Sequence, residues 1–352
     1  MRKIKSCVIF LIVIALCFCF TACGNKQESA TPKTEANFSD WNLDAPALSA
    51  LQNYVKSVTD EKSADYIPVQ DRIAVFDMDG TLLCETAPIY FGFMLYLHRV
   101  LEDPSYQPTE DVKAMAEQIR TGIETGNFPE TLEEEHAPMD AKAFAGMTLA
   151  QYDQYVKDYA KTNVAGLTNL TYADSWYKPM LQVVDYLNAN DFTVYICSGA
   201  DRFMVRAVAD GKVAVAPEHI IGMDAGLEAS GQHGASGFAY TFAPGDDVVR
   251  TDKNIFKPVK TNKVSEIAKE IGRQPVLSFG NSGGDISMNT YVTSGNPYKS
   301  AAFMVLADDD VREFGNIEKA AKNREKWESY GWNVISMKND FRTIYGDNVT
   351  KK

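Results

Sequence analysis

The sequence has few basic residues for its size. Its 352 residues include 35 Lys and Arg against 47 Asp and Glu, so the formal net charge is −12. Three basic residues, Arg2, Lys3 and Lys5, lie in the first 22 residues, which contain no acid, so the rest of the chain is more acidic still. Because nucleic acid binding needs a basic surface, this composition argues against a nucleic acid partner. A small anionic substrate is compatible with it, since a metal ion and one lysine can reverse the local field.

Cysteine is scarce beyond the N-terminus. Four of the six cysteines fall within the first 23 residues, which leaves Cys84 and Cys197. Each of these two adjoins an apolar segment, where cysteine commonly serves as a small buried hydrophobic residue. The pattern excludes a disulfide framework and the Cys/His spacing of a zinc site.

The N-terminal apolar run is too short to be a typical membrane span. Residues 7–20 form a run of 14 residues, whereas a transmembrane helix needs roughly 20. The run follows the basic segment Arg2-Lys3-Ile4-Lys5 and precedes the small residues Thr21-Ala22. A basic segment, a short apolar run and small residues in this order are typical of a secretory signal peptide.

The segment Thr21-Ala22-Cys23 resembles the lipobox of bacterial lipoproteins, although Phe20 stands where Leu is usual. The resemblance implies a signal peptide over 1–22 and a lipidated Cys23 that anchors the protein to a bacterial membrane outside the cytoplasm. Residues 23–40 are polar and rich in Lys, Glu, Ser, Thr and Pro, which predicts a tether. A plain signal peptide or a retained membrane anchor is the alternative.

Two aspartates directly follow an apolar segment. Ile73–Phe76 predicts a strand, and Asp77, Asp79 and Gly80 come next. Strand side chains alternate, so the two carboxylates are expected on one side, and Gly80 permits a sharp turn. Such a pair suits a hard cation, or a nucleophile and a proton carrier. A calcium loop would continue with further oxygen ligands, whereas residues 81–84 read Thr-Leu-Leu-Cys.

Strand patterns alternate with helix patterns after residue 175, which predicts an α/β fold with a doubly wound parallel sheet. Residues 224–252 are Gly-rich and polar, and the alternation at 238–242 predicts a small antiparallel flap there. The predicted strands are 72–77, 192–197, 220–222, 276–279, 303–306 and 334–337. The predicted helices of this core are 46–58, 179–188, 201–209, 261–271, 285–292 and 317–329.

Residues 87–175 carry helical patterns alone, over 89–100, 111–124, 140–144 and 149–161. This predicts a small α-helical domain, the cap, inserted after the first strand. The predicted core domain is then formed by residues 41–86 together with 176–352.

Polar residues also follow other predicted strands, at the edge where parallel sheets carry their sites. Ser198-Gly199 ends the second strand, where a hydroxyl and N–H groups suit phosphate oxygens. Asn281 follows a later strand, with Asp285 four residues on, and both carry oxygen donors for a cation. A phosphoryl group also needs a fixed positive charge, which a lysine at the start of the helix 261–271 can supply.

These segments, in this order, resemble the four motifs of the haloacid dehalogenase (HAD) superfamily of phosphatases. The helical insertion resembles the small cap of the phosphoserine-phosphatase-like branch, and the resemblance covers about residues 71–337. It favours Lys263 over Lys260 as the motif lysine. Asn281 departs from the family's Asp, which removes one negative charge from the metal site.

The resemblance implies a role for each motif residue. Asp77 would attack phosphorus and form an aspartyl-phosphate, while Asp79 would protonate the leaving oxygen and then activate water. The implied magnesium ligands are Asp77, Asp79, Asn281 and Asp285. The implied substrate contacts are Thr81, Ser198, Gly199 and Lys263, of which Ser198 and Lys263 also count as catalytic.

Three further segments allow two interpretations each. The acidic run 133–136 is expected to be a solvated face, and the alternative is contact with a cationic leaving group. The aromatic segment 176–179 is expected at the core edge, and the alternative is a wall for a quaternary ammonium group. The aspartates 308–310 are expected in a loop, and the alternative is a metal role.

The sequence therefore predicts a Mg²⁺-dependent phosphomonoester hydrolase that acts, through an aspartyl-phosphate, on a small phosphorylated metabolite outside the cytoplasm. Two alternatives stay open. One is a phosphotransferase or mutase that uses the same intermediate. The other is a non-catalytic surface binding lipoprotein whose site has decayed at Asn281.

Overall fold

The computed structural model describes residues 37–352. None of the helices in this range is both long enough and apolar enough to span a bilayer. The predicted signal peptide, the lipidation site Cys23 and most of the predicted tether lie outside the described residues.

The described residues contain one seven-stranded sheet. Its strands are β1 (Ile73–Phe76), β2 (Thr193–Asp201), β3 (Ile220–Ala229), β4 (Val248–Phe256), β5 (Leu277–Gly280), β6 (Ala301–Leu306) and β7 (Asn333–Ser336). The spatial order is β4-β3-β2-β1-β5-β6-β7. All neighbouring strands are parallel except β3 and β4, which are antiparallel. The predicted doubly wound α/β fold is confirmed.

Helices cover both faces of this sheet and build the insertion. They are α1 (Pro46–Thr59), α2 (Phe91–Leu97), α3 (Glu110–Thr125), α4 (Leu132–Ala143), α5 (Leu149–Ala160), α6 (Lys178–Ala189), α7 (Arg202–Ala209), α8 (Thr261–Ile271), α9 (Ile286–Thr293), α10 (Ile317–Ser329) and α11 (Met337–Asp340). The helices α2 to α5 form the α-helical cap after the first strand, as predicted.

The central strand β1 is buried on both faces because its side chains alternate. Phe76 packs in the main core, where its ring stacks on Phe279 of β5 at a centroid distance of 4.1 Å. Val75 points to the opposite face and packs with Ile267 of α8 and Met288 of α9. Because β1 is fixed from both sides, the residues that follow it begin from a rigid position.

The predicted antiparallel pairing in the segment 224–252 is present, but β3 and β4 form it rather than residues 238–242. β3 runs ten residues, to Ala229, and pairs antiparallel with β4, whereas residues 238–242 form no strand. Phe238 is fully exposed, so its alternation with polar neighbours does not mark a buried face. The carboxylate of Asp246 holds this loop by accepting hydrogen bonds from the N–H groups of Gly231 and Ala243, both at 2.9 Å or less.

Two helices of the cap also differ from the prediction. α4 begins at Leu132 rather than at residue 140, because the acidic run before 137 carries too few apolar residues to show periodicity. α2 ends at Leu97, and the chain continues in a wider helical turn, His98–Glu102. The antiparallel pairing at β4 and the longer α4 both matter for the site, since they bring side chains to it that the sequence did not predict there.

Candidate active site

The candidate site lies at the edge of the sheet where β1, β2 and β5 end. A cavity of about 540 Å³ opens there, lined by residues of this edge and of the cap. The backbone N–H of Asp77, just after β1, donates to the carbonyl of Phe279 in β5 at 2.9 Å. The segments that follow β1 and β5 are thereby held side by side, as expected for parallel strand ends.

The turn after β1 depends on Gly80. Its φ is +76°, and its N–H donates to the carbonyl of Leu83 at 2.7 Å. A Cβ atom at this position would overlap the side chains of Asn281 and Glu85. Glycine is therefore needed both for the left-handed conformation and for the close approach of these two side chains to the Asp79–Gly80 backbone.

Lys263 is the cation at the centre of the site. It is 3 % exposed, and its Nζ donates to Asp77 and, at 2.7 Å, to Oδ1 of Asp285. Burial lowers its pKa, but the two carboxylates outweigh burial and hold the pKa above its ordinary value. Lys260, the competing lysine, is exposed at the start of α8 and lies on the cavity wall. The structure thus places Lys263, and not Lys260, against Asp77.

The two oxygens of Asp285 connect Lys263 to the loop after β5. Oδ1 accepts from Lys263, and Oδ2 accepts from the backbone N–H groups of Asn281 and Ser282 at 3.0 and 3.1 Å. A Cβ atom on Gly280 would collide with this carboxylate, so glycine leaves room for it. Asp285 therefore fixes both the lysine and the backbone that carries Asn281.

Glu85 is a site residue that no sequence motif indicated. Its Oε1 accepts a hydrogen bond from Nδ2 of Asn281 at 2.9 Å. A carboxylate accepts but does not donate, so this contact assigns the amide orientation and directs Oδ1 away from Glu85. Burial raises the pKa of Glu85 to about 7, and the hydrogen bond from Asn281 opposes that rise. The single hint in the sequence is its position, eight residues beyond Asp77 in the connection to the cap.

The donor set fits a hard divalent cation. Oδ1 of Asp79 and Oδ1 of Asn281 are both buried and have no hydrogen-bond partner among residues 37–352. Buried polar atoms are usually paired, so the orphaned oxygen of Asn281 suits a cation that prefers oxygen ligands, such as Mg²⁺. The orphaned oxygen of Asp79 suits proton exchange with a substrate. Within the described chain, no group of three or more His, Cys, Asp or Glu side chains forms a metal site by itself. A site here would therefore combine carboxylates with other oxygen donors, such as the amide of Asn281.

The predicted phosphate-binding residues lie at different depths. Gly199 lines the cavity, whereas Ser198 is buried behind it, where its Oγ accepts from the N–H of Ala200 at 3.1 Å. Thr81 is fully buried, and its hydroxyl has no partner in the described part of the chain. The structure thus brings the Gly199 backbone to the cavity and keeps the Thr81 and Ser198 hydroxyls behind it.

The acidic run 133–136 divides between solvent and cavity. Glu135 is exposed, as expected for a solvated face. Glu133 lines the cavity and forms a 2.6 Å ion pair with Lys257, and His136 is buried in the cavity wall. The expectation of a purely solvated face is wrong because α4 begins earlier than its pattern suggested and turns this segment toward the sheet edge.

Burial and neighbouring charges set the protonation of the cavity. The pKa of Asp79 is raised well above its ordinary value, by burial first and by the charge of Asp77 second. The charge of Glu85, followed by burial, raises the pKa of the Tyr90 hydroxyl. The pKa of His136 is lowered, by burial first and then by Lys257. These shifts favour the protonated carboxyl of Asp79, the neutral phenol of Tyr90 and the uncharged imidazole of His136.

A buried arginine, Arg250, joins the cap to the end of β2. Nη1 of Arg250, on β4, donates to Oδ2 of Asp201 at 2.8 Å, and its guanidinium lies 3.9 Å from the ring centroid of Tyr152 in the cap. Oδ1 of Asp201 caps α7 by accepting from the N–H groups of Phe203 and Met204. The role of Asp201 as the N-cap residue of α7 was predicted. The contacts of Arg250 were not predicted, because its partners are remote in sequence.

The remaining segments have structural roles. Trp176 and Tyr177 are buried in the core, which confirms the core-edge prediction. Residues 308–310 form a loop, as expected, and Asp309 accepts hydrogen bonds from the backbone and side chain of Arg312. Cys84 and Cys197 are buried, as predicted.

Comparison with known proteins gives one family match. The sequence profile of the haloacid dehalogenase-like hydrolases matches residues 74–289, more than half of the chain. No protein among the curated sequences matches this chain.

Several solved structures are similar at low identity. A protein of unknown function from Bordetella pertussis Tohama I is 14% identical, with 75% of this chain and 97% of that chain covered and a TM-score of 0.48. A functionally unknown protein from Anaerococcus prevotii is 14% identical, with coverages of 84% and 94% and a TM-score of 0.48. Cytosolic 5'-nucleotidase IIIB bound to cytidine is 12% identical, with coverages of 82% and 84% and a TM-score of 0.49.

Proposed function

The chain belongs to the haloacid dehalogenase-like hydrolases, and from that premise we propose that it is a Mg²⁺-dependent phosphomonoesterase that works through an aspartyl-phosphate on Asp77. The observation that carries the proposal is the buried set around Lys263, which joins Asp77 to Asp285 beside two unpaired oxygens. A nucleophilic carboxylate, a fixed positive charge and a protonated second carboxylate are the parts that phosphoryl transfer needs.

In the first step an oxygen of Asp77 attacks phosphorus in line with the leaving oxygen. The new P–O bond forms on Asp77 as the bond to the leaving group breaks, and Asp79 gives its proton to the leaving oxygen. The raised pKa of Asp79 supports this order, since burial and the charge of Asp77 favour the protonated acid. The product is an alcohol and a phosphorylated Asp77.

In the second step Asp79, now ionised, takes a proton from a water molecule. That water attacks phosphorus, the bond to Asp77 breaks, and inorganic phosphate leaves. Asp79 thus returns to its protonated form and Asp77 to its carboxylate. One residue serves as acid and then as base, because the two steps need opposite proton transfers at the same place.

Lys263 and the backbone of Gly199 supply the positive field for the phosphoryl oxygens. Lys263 is held by Asp285, so its charge is positioned before the substrate arrives. Mg²⁺ would be held by Asp77, a backbone oxygen of Asp79 and Oδ1 of Asn281, with Asp285 close by, and it would neutralise charge on the phosphoryl group.

The part of the cavity away from Lys263 favours leaving groups without negative charge. On the cap side the cavity wall carries Glu130, Glu133, Glu134 and Asp140. The lysine that meets this side, Lys257, is paired with Glu133. A leaving group that carries a carboxylate would face this acidic wall, whereas a neutral or amine-bearing alcohol would be tolerated or attracted. We therefore propose amino-alcohol or neutral-alcohol phosphates as the substrate class.

A phosphomonoester panel tests the proposal. We expect release of inorganic phosphate from an aryl phosphate and a preference for an amino-alcohol phosphate over a hydroxy-acid phosphate of equal size. Transfer of the phosphoryl group to an added alcohol, without phosphate release, would favour the phosphotransferase alternative. Tight binding of a phosphate ester without turnover would favour the non-catalytic alternative.

We also propose that the protein acts outside the cytoplasm, anchored to a bacterial membrane through Cys23. The support is the order of a basic segment, a 14-residue apolar run and Thr21-Ala22-Cys23. A tether of about 18 residues would then separate the lipid from the folded domain.

A further inference from the structure

One ligand of the proposed cation site is neutral, since Asn281 contributes an amide. Its Oδ1 is buried without a partner in the described residues, and its Nδ2 is used by Glu85 at 2.9 Å. A neutral ligand weakens electrostatic attraction for a divalent cation, because affinity depends on the number of charged ligands. The carboxylate of Glu85 lies directly behind the amide that would face the cation.

The position of Glu85 is built into the fold. The backbone N–H of its neighbour Cys84 donates to the carbonyl of Ser175 at 2.9 Å, and Thr86 on its other side is bonded to the buried carboxylate of Glu313. Both flanking residues are thus tied to parts of the chain remote in sequence. Glu85 is held between them and is not a freely moving cavity residue.

The Glu85 side chain also lies beside the backbone of the first motif, where Gly80 leaves room for it. A Cβ atom on Gly80 would overlap both Glu85 and Asn281, so these two side chains occupy the space over the Asp79–Gly80 peptide. That peptide carries the backbone oxygen proposed for the cation. Three contacts, to Asn281, to Gly80 and through the flanking anchors, therefore put the Glu85 charge at the cation site.

We infer that Glu85 supplies the negative charge that Asn281 lacks, so that the hydrogen-bonded pair replaces a single ligand carboxylate. Asn281 offers the ligand oxygen, and Glu85 fixes the orientation of the amide and contributes the charge. This inference rests on the proposed Mg²⁺ site, and it adds a residue that the four motifs do not contain.

Isothermal titration of Mg²⁺ into the purified full chain, without substrate, tests the pair. Glu85→Gln keeps the size and a hydrogen-bond acceptor but removes the charge, and we expect Mg²⁺ affinity to fall by about tenfold or more. The double variant Glu85→Gln/Asn281→Asp moves the charge to position 281 and keeps a hydrogen bond of reversed direction. Its affinity should return to within about threefold of wild type.

Glu135→Gln is the matched control, because it removes a carboxylate that is exposed to solvent on the cap. Its Mg²⁺ affinity should equal that of wild type. Thermal melting without Mg²⁺ identifies any variant that fails to fold. If Glu85→Gln does not fold, the Mg²⁺ affinity of the double variant tests the inference, since that variant keeps both the hydrogen bond and the total charge.

The outcomes separate the inference from the proposed function. Unchanged Mg²⁺ affinity in folded Glu85→Gln overturns the inference, and so does a double variant that stays as weak as the single one. A wild-type chain that binds no Mg²⁺ overturns both the inference and the proposed metal dependence. Hydrolysis of an aryl phosphate by wild type, measured in parallel, tests the phosphatase proposal independently of Glu85.

Discussion

Exchange of Lys263 for Gln tests the charge balance on which the site depends. Lys263 is 3 % exposed and is the donor that joins Asp77 to Asp285. Glutamine keeps a donor but removes the charge, so two buried carboxylates lose their cation. Removal of one partner from a buried ion pair typically costs about 3–5 kcal/mol, and we expect the free energy of unfolding at pH 7 to fall by that amount.

Activity should fall independently of stability. Lys263 also binds the phosphoryl oxygens in the proposed mechanism, and loss of one such electrostatic contact lowers kcat by about 10²–10³-fold. Lys260→Gln is the matched control, since Lys260 lies three residues earlier and is exposed. Its unfolding free energy should change by about 0.5 kcal/mol or less, with a much smaller loss of kcat/KM.

The stability loss should also depend on pH, with a definite sign. The pKa of Asp77 is raised to about 7, by burial first and by Asp285 second, against the opposing charge of Lys263. Without Lys263 this pKa rises further, so the folded variant keeps a proton above pH 7 that wild type has released. The folded variant then binds more protons than its unfolded chain, and its stability falls as the pH rises.

Urea denaturation at pH 6 and pH 8.5, with steady-state hydrolysis of an aryl phosphate, measures all three effects. The difference in unfolding free energy between wild type and Lys263→Gln should be larger at pH 8.5. If Lys260→Gln abolishes hydrolysis while Lys263→Gln retains it, the choice of the motif lysine is wrong. A difference that is the same at both pH values would refute the charge argument.

Three further predictions concern the nucleophile, the metal and the anchor. Asp77→Asn should form no phosphoenzyme in rapid-quench experiments. Asp79→Asn should still form it from an aryl phosphate, whereas its rate with an alkyl phosphate should fall by about 10²–10⁴-fold. An active Asp77→Asn would contradict the assignment. Chelation should abolish hydrolysis and Mg²⁺ should restore it, since oxygen-only ligands favour Mg²⁺ over zinc; activity that persists in chelator would exclude a metal role. Cys23→Ala should remove fatty acid labelling of the full chain, and unchanged labelling would rule out the lipobox.

Much of the fold was readable because its signals are local. Periodicity predicted α8 as Thr261–Ile271 and α10 as Ile317–Ser329, which are the bounds that the structure shows. The strand before Asp77 was marked by four consecutive apolar residues, Ile73–Phe76, as expected for a strand buried on both faces. Patterns of this kind depend on neighbouring residues alone, so one sequence is enough to read them.

The errors occurred where local pattern and tertiary contact disagree. The alternation at 238–242 imitates a strand, but Phe238 faces solvent and the segment forms no strand. The acidic run 133–136 imitates a solvated face, but the pairing of Glu133 with Lys257 draws part of it to the cavity. In both cases the deciding partner lies far away in the chain.

The sequence by itself determined the two aspartates, the glycine that turns the chain after them, and the position of Asn281 directly after β5. It determined these because residue type and spacing constrain the backbone directly. It placed Ser198 after the second strand, whereas β2 continues to Asp201 and contains Ser198. The motif resemblance favoured Lys263 over Lys260, but only the tertiary structure placed Lys263 against Asp77, since this contact depends on which face of α8 meets the sheet. Only the tertiary structure placed Glu85 on Asn281, 196 residues apart, because a contact of that separation exists only once β1 and β5 lie side by side.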